Sequence, residues 1–108
     1  MVKKYNKLVR DNMPEIIKEQ GNVPVVEILE GENYFDALNK KLAEEIAEYF
    51  ENYNVEELVD IVEVVYAIVK YNGLSLDDFN GLRLKKYGER GGFDNRISLI
   101  EIKHSLAE

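Results

Sequence analysis

The segment Val55 to Tyr71 constrains the fold more than any other part of this chain. Leu58, Ile61, Val62, Val65, Ile68 and Val69 recur at steps of three and four and form one apolar helix face. Val59, Val64, Tyr66, Ala67 and Tyr71 carry that face around most of the circumference. A helix that is apolar nearly all round has to be buried. A chain of 108 residues with three other short or mixed helices can hardly wrap it completely. Burial against a second copy is the simplest solution, so the sequence predicts a homo-oligomer, in its simplest form a symmetric dimer with a helical-bundle core.

Signals for the other elements surround this helix. Asn54 reads as its N-cap, and Asn72-Gly73 ends it. A long helix is expected from about Asn33 to Asn52, where Phe35, Leu38, Leu42, Ile46, Tyr49 and Tyr53 make one stripe. A short helix should start near Asn12, capped by Asp11 or Asn12 with Pro14 in its first turn, and end at Gly21. Ser75 followed by Asp78 marks a fourth helix, Leu76 to Tyr87. Pro24 to Leu29 is rich in β-branched residues, and Ile97 to Ile102 partly alternates, so both read as strands able to pair. No repeat or linker interrupts the chain. The expected architecture is a single domain over residues 1–108, mainly α, a four-helix bundle unit with a small two-stranded β-sheet, completed by oligomerisation.

Composition excludes several functions. The net charge of −7 argues against a nucleic-acid surface, which would carry an excess of Lys and Arg. With no Cys there is no disulfide, thiolate nucleophile or zinc–thiolate site, and a lone His104, expected at the surface, excludes a multi-histidine site within one chain. No apolar run is long enough to span a membrane, and the basic start Met1 to Lys7 lacks the apolar stretch of a signal peptide. The expectation is a soluble cytoplasmic protein without a membrane or nucleic-acid partner.

The acidic residues are patterned. Glu45 and Glu48 stand three apart on the long helix, and Glu57 and Asp60 stand three apart on the apolar one. At about 100° per residue, each pair borders its helix's apolar stripe, whereas Glu44, Glu51, Glu56 and Glu63 point further out. The short break at Asn52 to Asn54 makes the two helices an antiparallel hairpin, in which the pairs can face each other. Carboxylates crowded in this way call for a hard cation, Mg²⁺ or alternatively Mn²⁺, and Mg²⁺ held by carboxylates commonly serves phosphate chemistry. Plainer readings compete. Acids on helices are mostly solvated, Glu57 three residues after Asn54 approximates a capping box, and Lys41 could pair with Glu45.

Two basic segments flank this core. Lys86 and Arg90 precede Gly91-Gly92, a combination suited to phosphate contact with close backbone approach, or alternatively to a solvated last turn with an ordinary C-cap. Lys7 and Arg10 lie in Tyr5-Asn6-Lys7-Leu8-Val9-Arg10-Asp11, where surface placement is the plainer reading.

Four blocks, taken in order, resemble a known group. Tyr5 to Ile17, Lys41 to Glu48, Glu56 to Val64, and Lys86 to Phe93 with Arg96-Ile97-Ser98-Leu99 resemble the phosphoribosyl-ATP pyrophosphohydrolase-like branch of the MazG-like all-α NTP pyrophosphohydrolase superfamily. The resemblance covers nearly the whole chain. That superfamily's metal signature, Glu-x-x-Glu followed by Glu-x-x-Asp, maps onto Glu45, Glu48, Glu57 and Asp60, with only residues 49–56 between its halves. The first acid of the doublet, Glu44, has a role in some relatives. The resemblance implies a Mg²⁺-dependent hydrolase that cleaves the α–β phosphoanhydride of a nucleoside triphosphate. Glu48 or Glu44 would be its proton acceptor, and Lys86, Arg90, Lys7 and Arg10 its phosphate contacts. Asn12, or an aromatic such as Tyr5 or Phe93, would touch the base. Nucleotide-pool house-cleaning is the role expected. Phosphoribosyl-ATP hydrolysis and a non-catalytic helical dimer that binds a nucleotide or a protein are the alternatives.

Overall fold

The structure, a computed structural model, describes residues 1–104. Four helices follow one another: α1 (Met13–Glu19), α2 (Gly31–Asn52), α3 (Val55–Tyr71) and α4 (Leu76–Arg90). The chain divides into two compact units, residues 1–76 and the residues from Asp77 onward.

In the first unit α2 and α3 pack on one another as an antiparallel hairpin. Their link is short because Tyr53 takes a left-handed conformation, φ 52°, and its N–H donates to the Tyr49 carbonyl. That bond closes the end of α2 and frees Asn54 to start α3 in an extended conformation. Aromatic rings hold the far end of the hairpin. Phe35 stacks on Tyr71 with ring centroids 4.8 Å apart, and Tyr34 meets the same ring edge-on at 6.0 Å. Between the ends lies a small core of Leu38, Val64 and Val69. Leu38, at 2% exposure, is its centre. Burying a leucine to that degree contributes about 2 kcal/mol.

Most of the apolar surface of α3 stays exposed in the single chain. Val55, Val59 and Val62 are 71, 60 and 45% exposed. The near-continuous apolar circumference is therefore real, and one chain covers only its α2-facing side.

Several expectations need correction. Neither Pro24–Leu29 nor Ile97–Ile102 is a strand; both are irregular, and no strand occurs among the described residues. The physical reason lies in burial. Val25, Ile28, Ile97 and Ile100 are all more than four-fifths exposed, so no face is covered and no ladder partner satisfies the backbone. Asn12 and Asn54 occupy the N-cap positions of α1 and α3, yet neither side chain makes a capping hydrogen bond. α4 runs three residues past Tyr87, through Gly88 to Arg90, because a single glycine weakens a helix by only about 1 kcal/mol. No described helix is long and apolar enough to cross a membrane.

Candidate metal centre between α2 and α3

The antiparallel hairpin brings acids from both helices to one place. One carboxylate oxygen each from Glu45, Glu57 and Asp60 lies within 4.8 Å of the others. Glu45 is buried, at 6% exposure, and Glu57 and Asp60 are half-buried. Glu48, the fourth predicted residue, stands outside this close trio. Its charge still acts on Glu45. It is half-buried and makes no hydrogen bond or ion pair among the described residues.

The capping-box alternative for Glu57 does not hold. The backbone N–H of Glu57 donates to the Asn54 carbonyl at 3.0 Å, and no side-chain cap forms. The Glu57 carboxylate is thereby left for the centre.

Three bases pair with acids here: Lys41 with Glu44 and Glu45, Arg10 with Asp60 of the trio, and Lys7 with the neighbouring Glu44. Lys41 Nζ lies 3.3 Å from Glu44 Oε1 and 3.3 Å from Glu45 Oε1. Arg10 Nη2 donates to Asp60 Oδ1 at 2.7 Å, and Lys7 Nζ to Glu44 Oε1 at 3.1 Å. On Glu45 the two oxygens differ: Oε1 faces Lys41, and Oε2 is buried with no hydrogen-bond partner among the described residues. A buried charged oxygen with no partner is costly and rare in native proteins. It is the feature of the cluster that best suits a cation.

The titration behaviour has the same cause. Burial pushes the Glu45 carboxyl above its ordinary range; the charges of Glu48 and Asp60 add to this, and Lys41 opposes it. The Lys7 hydrogen bond, joined by Lys41, holds Glu44 below that range despite some burial. Burial alone would lower Lys41, but its bonds to Glu44 and Glu45 outweigh that and raise it.

The wheel placed Glu44 outward, whereas the structure finds it half-buried beneath the N-terminal segment. Sequence reasoning could not see that cover. Lys7 and Glu44 are 37 positions apart, and Arg10 and Asp60 are 50 apart, so no periodic signal links them. Lys7 and Arg10 are exposed, as expected, but each is paired with an acid: Arg10 with Asp60 of the trio and Lys7 with the adjacent Glu44. Tyr5 lies beside them, its ring 6.0 Å from Lys7 Nζ. Asn12 is exposed, at the start of α1.

Lys86 and Arg90 belong to the second unit, on the last turns of α4, with exposed side chains. Gly91, at φ 80°, is the C-cap, its N–H donating to the Tyr87 carbonyl at 2.7 Å. A Cβ on Gly92 would lie 3.0 Å from the Tyr87 ring, so a side chain there would push the exposed ring aside by a few tenths of an ångström. The turn that follows, Phe93 to Arg96, adds Arg96 to a 490 Å³ cleft that also holds Arg90. Phe93 and His104 are exposed.

The donor set suits a hard divalent ion. Three carboxylates and no sulfur favour Mg²⁺ or Mn²⁺ over zinc.

No protein-family model matches the chain. No solved structure matches it either. A curated protein of Mycolicibacterium smegmatis, described as uncharacterized, is 49% identical over 41 residues, 38% of this chain. The match covers 42% of that relative's length, so the chain spans well under half of the protein it resembles.

Proposed function

We propose that this protein is a Mg²⁺-dependent nucleoside triphosphate pyrophosphohydrolase, releasing a nucleoside monophosphate and pyrophosphate. The observation that carries the reading is the convergence of Glu45, Glu57 and Asp60 around a buried, partnerless Glu45 oxygen. Glu45, Glu57 and Asp60, with Glu48 alongside, would hold the cation. When bound, it would draw in polyphosphate oxygens and make water a better nucleophile.

The chain's own residues then divide the remaining work. Lys41 and Arg10 each occupy one oxygen of a ligating acid and would fix its orientation, leaving the other oxygen to face the ion. Glu48 is the better proton acceptor of the two candidates. Glu44 is engaged by Lys7 and Lys41, and its carboxyl is held below the ordinary range, whereas Glu48 has no such partner. Lys86 and Arg90 are proposed phosphate contacts, with Lys7 and Arg10 behind them in rank because both already serve acids. Asn12, the nucleoside contact that the resemblance implies, ranks last, because it is exposed at the start of α1 and does not line the cleft beside Glu44. House-cleaning of the nucleotide pool is the proposed role, and hydrolysis of a phosphoribosyl-ATP-like substrate its nearest alternative.

A homo-oligomer belongs to the same proposal, because the uncovered face of α3 at Val55, Val59 and Val62 suits a second copy. Pairing between copies would also give Val25–Leu29 and Ile97–Ile102 the partners that strands require. The same exposed face supports the rival reading, a helical dimer without catalysis, which has no use for the acidic trio.

The test is pyrophosphate release from a panel of nucleoside triphosphates, with Mg²⁺ and with EDTA, for the wild type and Glu45→Gln. Metal-dependent release that falls at least about a hundredfold in the variant supports the reading. Equal release from both proteins would overturn the metal assignment.

A further inference from the structure

We infer that the cleft between the N-terminal segment, residues 27–29 and the first turns of α2 binds the nucleoside half of the substrate, with Asp36 and Asn33 reading its hydrogen-bond donors. The inference rests on the pyrophosphohydrolase reading and deepens it by placing the uncharged part of the substrate. The cleft measures 330 Å³, which falls within the range of small-molecule sites. It adjoins the acidic centre directly, because Glu44 and Lys41 line it and Lys41 also contacts Glu45. A molecule seated there has one end against the centre.

Charge decides which part of a nucleotide fits. Lys7, Lys40 and Lys41 face Glu27, Asp36 and Glu44, so the formal charge of the lining sums to zero. Lys7 and Lys41 are already committed to Glu44. Such a lining gives a triphosphate no net attraction, whereas a cation between α2 and α3 does. The phosphates thus belong at the centre and the neutral nucleoside in the cleft.

The surface chemistry agrees. Leu8, Leu29 and Ala37 are half-buried and give an apolar floor for a planar ring. On the rim, Asn33 and Asp36 make no side-chain hydrogen bond among the described residues, and both are exposed to a ligand. They stand three apart on one face of α2. Asn6, in a left-handed conformation at φ 48°, lines the cleft from the N-terminal segment. A carboxylate only accepts hydrogen bonds, so Asp36 selects groups that donate: ribose hydroxyls or an amino group on the base.

Amide NMR of the full chain, titrated with ribo- and deoxyribonucleoside monophosphates carrying amino or keto bases, tests this without turnover. The expected result is shifts concentrated at Asn6, Asn33, Asp36 and Ala37. Loss of affinity on removing the 2′-hydroxyl would identify the sugar as the donor, and loss on changing amino to keto would identify the base. Asp36→Asn should then weaken binding about tenfold and blunt that preference, with Mg²⁺ affinity unchanged. Shifts confined to other residues, or no binding by any nucleotide, would overturn the cleft assignment. If pyrophosphate release is metal-dependent while Asp36→Asn leaves KM and substrate preference intact, the cleft proposal fails and the hydrolase reading stands. If Glu45→Gln leaves release unchanged, the metal assignment fails while the cleft proposal is still decided by the titration; if no triphosphate yields pyrophosphate, the hydrolase reading fails.

Discussion

The two basic segments of this chain look alike as sequence and behave differently in the structure. Lys7 and Arg10 reach acids 37 and 50 positions away and close over the α2–α3 hairpin. Lys86 and Arg90 stand exposed on α4, with no ion pair among the described residues. The first pair is spent on positioning carboxylates, and the second remains available to a ligand. A basic residue near a candidate phosphate site is thus not by itself a phosphate ligand; what matters is whether an acid of the same chain already holds it.

The comparison can be broken by substitution. The largest effect is expected for Arg10→Gln. It releases Asp60, and outer-shell losses of this kind lower metal affinity about 10- to 100-fold. Calorimetric titration with Mn²⁺ measures this, and Arg10→Lys should recover part of the loss. Tighter metal binding in Arg10→Gln would mean that Arg10 competes with the cation instead of positioning its ligand. Lys86→Ala with Arg90→Ala should do the reverse, raising KM for a nucleoside triphosphate about tenfold while metal affinity stays the same. A fall in metal affinity there would erase the distinction between the two segments.

A smaller effect concerns Glu45 without metal. Its carboxyl is raised by burial, so at pH 7 its charge destabilises the fold, and this cost disappears as pH falls through the raised value. Glu45→Gln should therefore melt a few degrees higher than the wild type in EDTA at pH 7, about 2–5 °C, and the gap should close toward acid pH. Thermal melts across pH check the sign; a variant that melts lower at pH 7 would contradict it. The smallest effect belongs to Glu44. Its lowered carboxyl contributes stability above the ordinary carboxylate value and loses it as pH falls further. Lys7→Met should shrink that acid-side loss slightly, because the main cause of the shift is gone.

Much of this was legible in the chain. Asn54 and Asn72-Gly73 bracketed α3, and the observed bounds are Val55–Tyr71. The spacing of Glu45, Glu48, Glu57 and Asp60 against the apolar stripes predicted four acids together, since helix periodicity and a short link determine which faces meet; three of them converge, and Glu48 stands outside the trio. The strands failed for the opposite reason. Alternation at 97–102 reports a capacity to be half-buried, and only a partner can realise it. The roles of Lys7 and Arg10 were beyond reach because a contact across 50 residues leaves no local trace. Glu44 was misplaced on the same account: the wheel counts one helix, and the segment covering Glu44 comes from elsewhere in the chain.

Calorimetric titration of the full chain with Mg²⁺ and Mn²⁺, wild type beside Glu57→Gln, tests the central claim most directly. Glu57 contributes one oxygen to the trio, and its side chain makes no hydrogen bond or ion pair among the described residues, so its substitution removes a ligand and little else. Saturable binding in the wild type that is lost in Glu57→Gln, with both proteins melting alike in EDTA, is the predicted result. Equal binding by the two proteins, or none by the wild type, would show that the acids of α2 and α3 are not a metal centre.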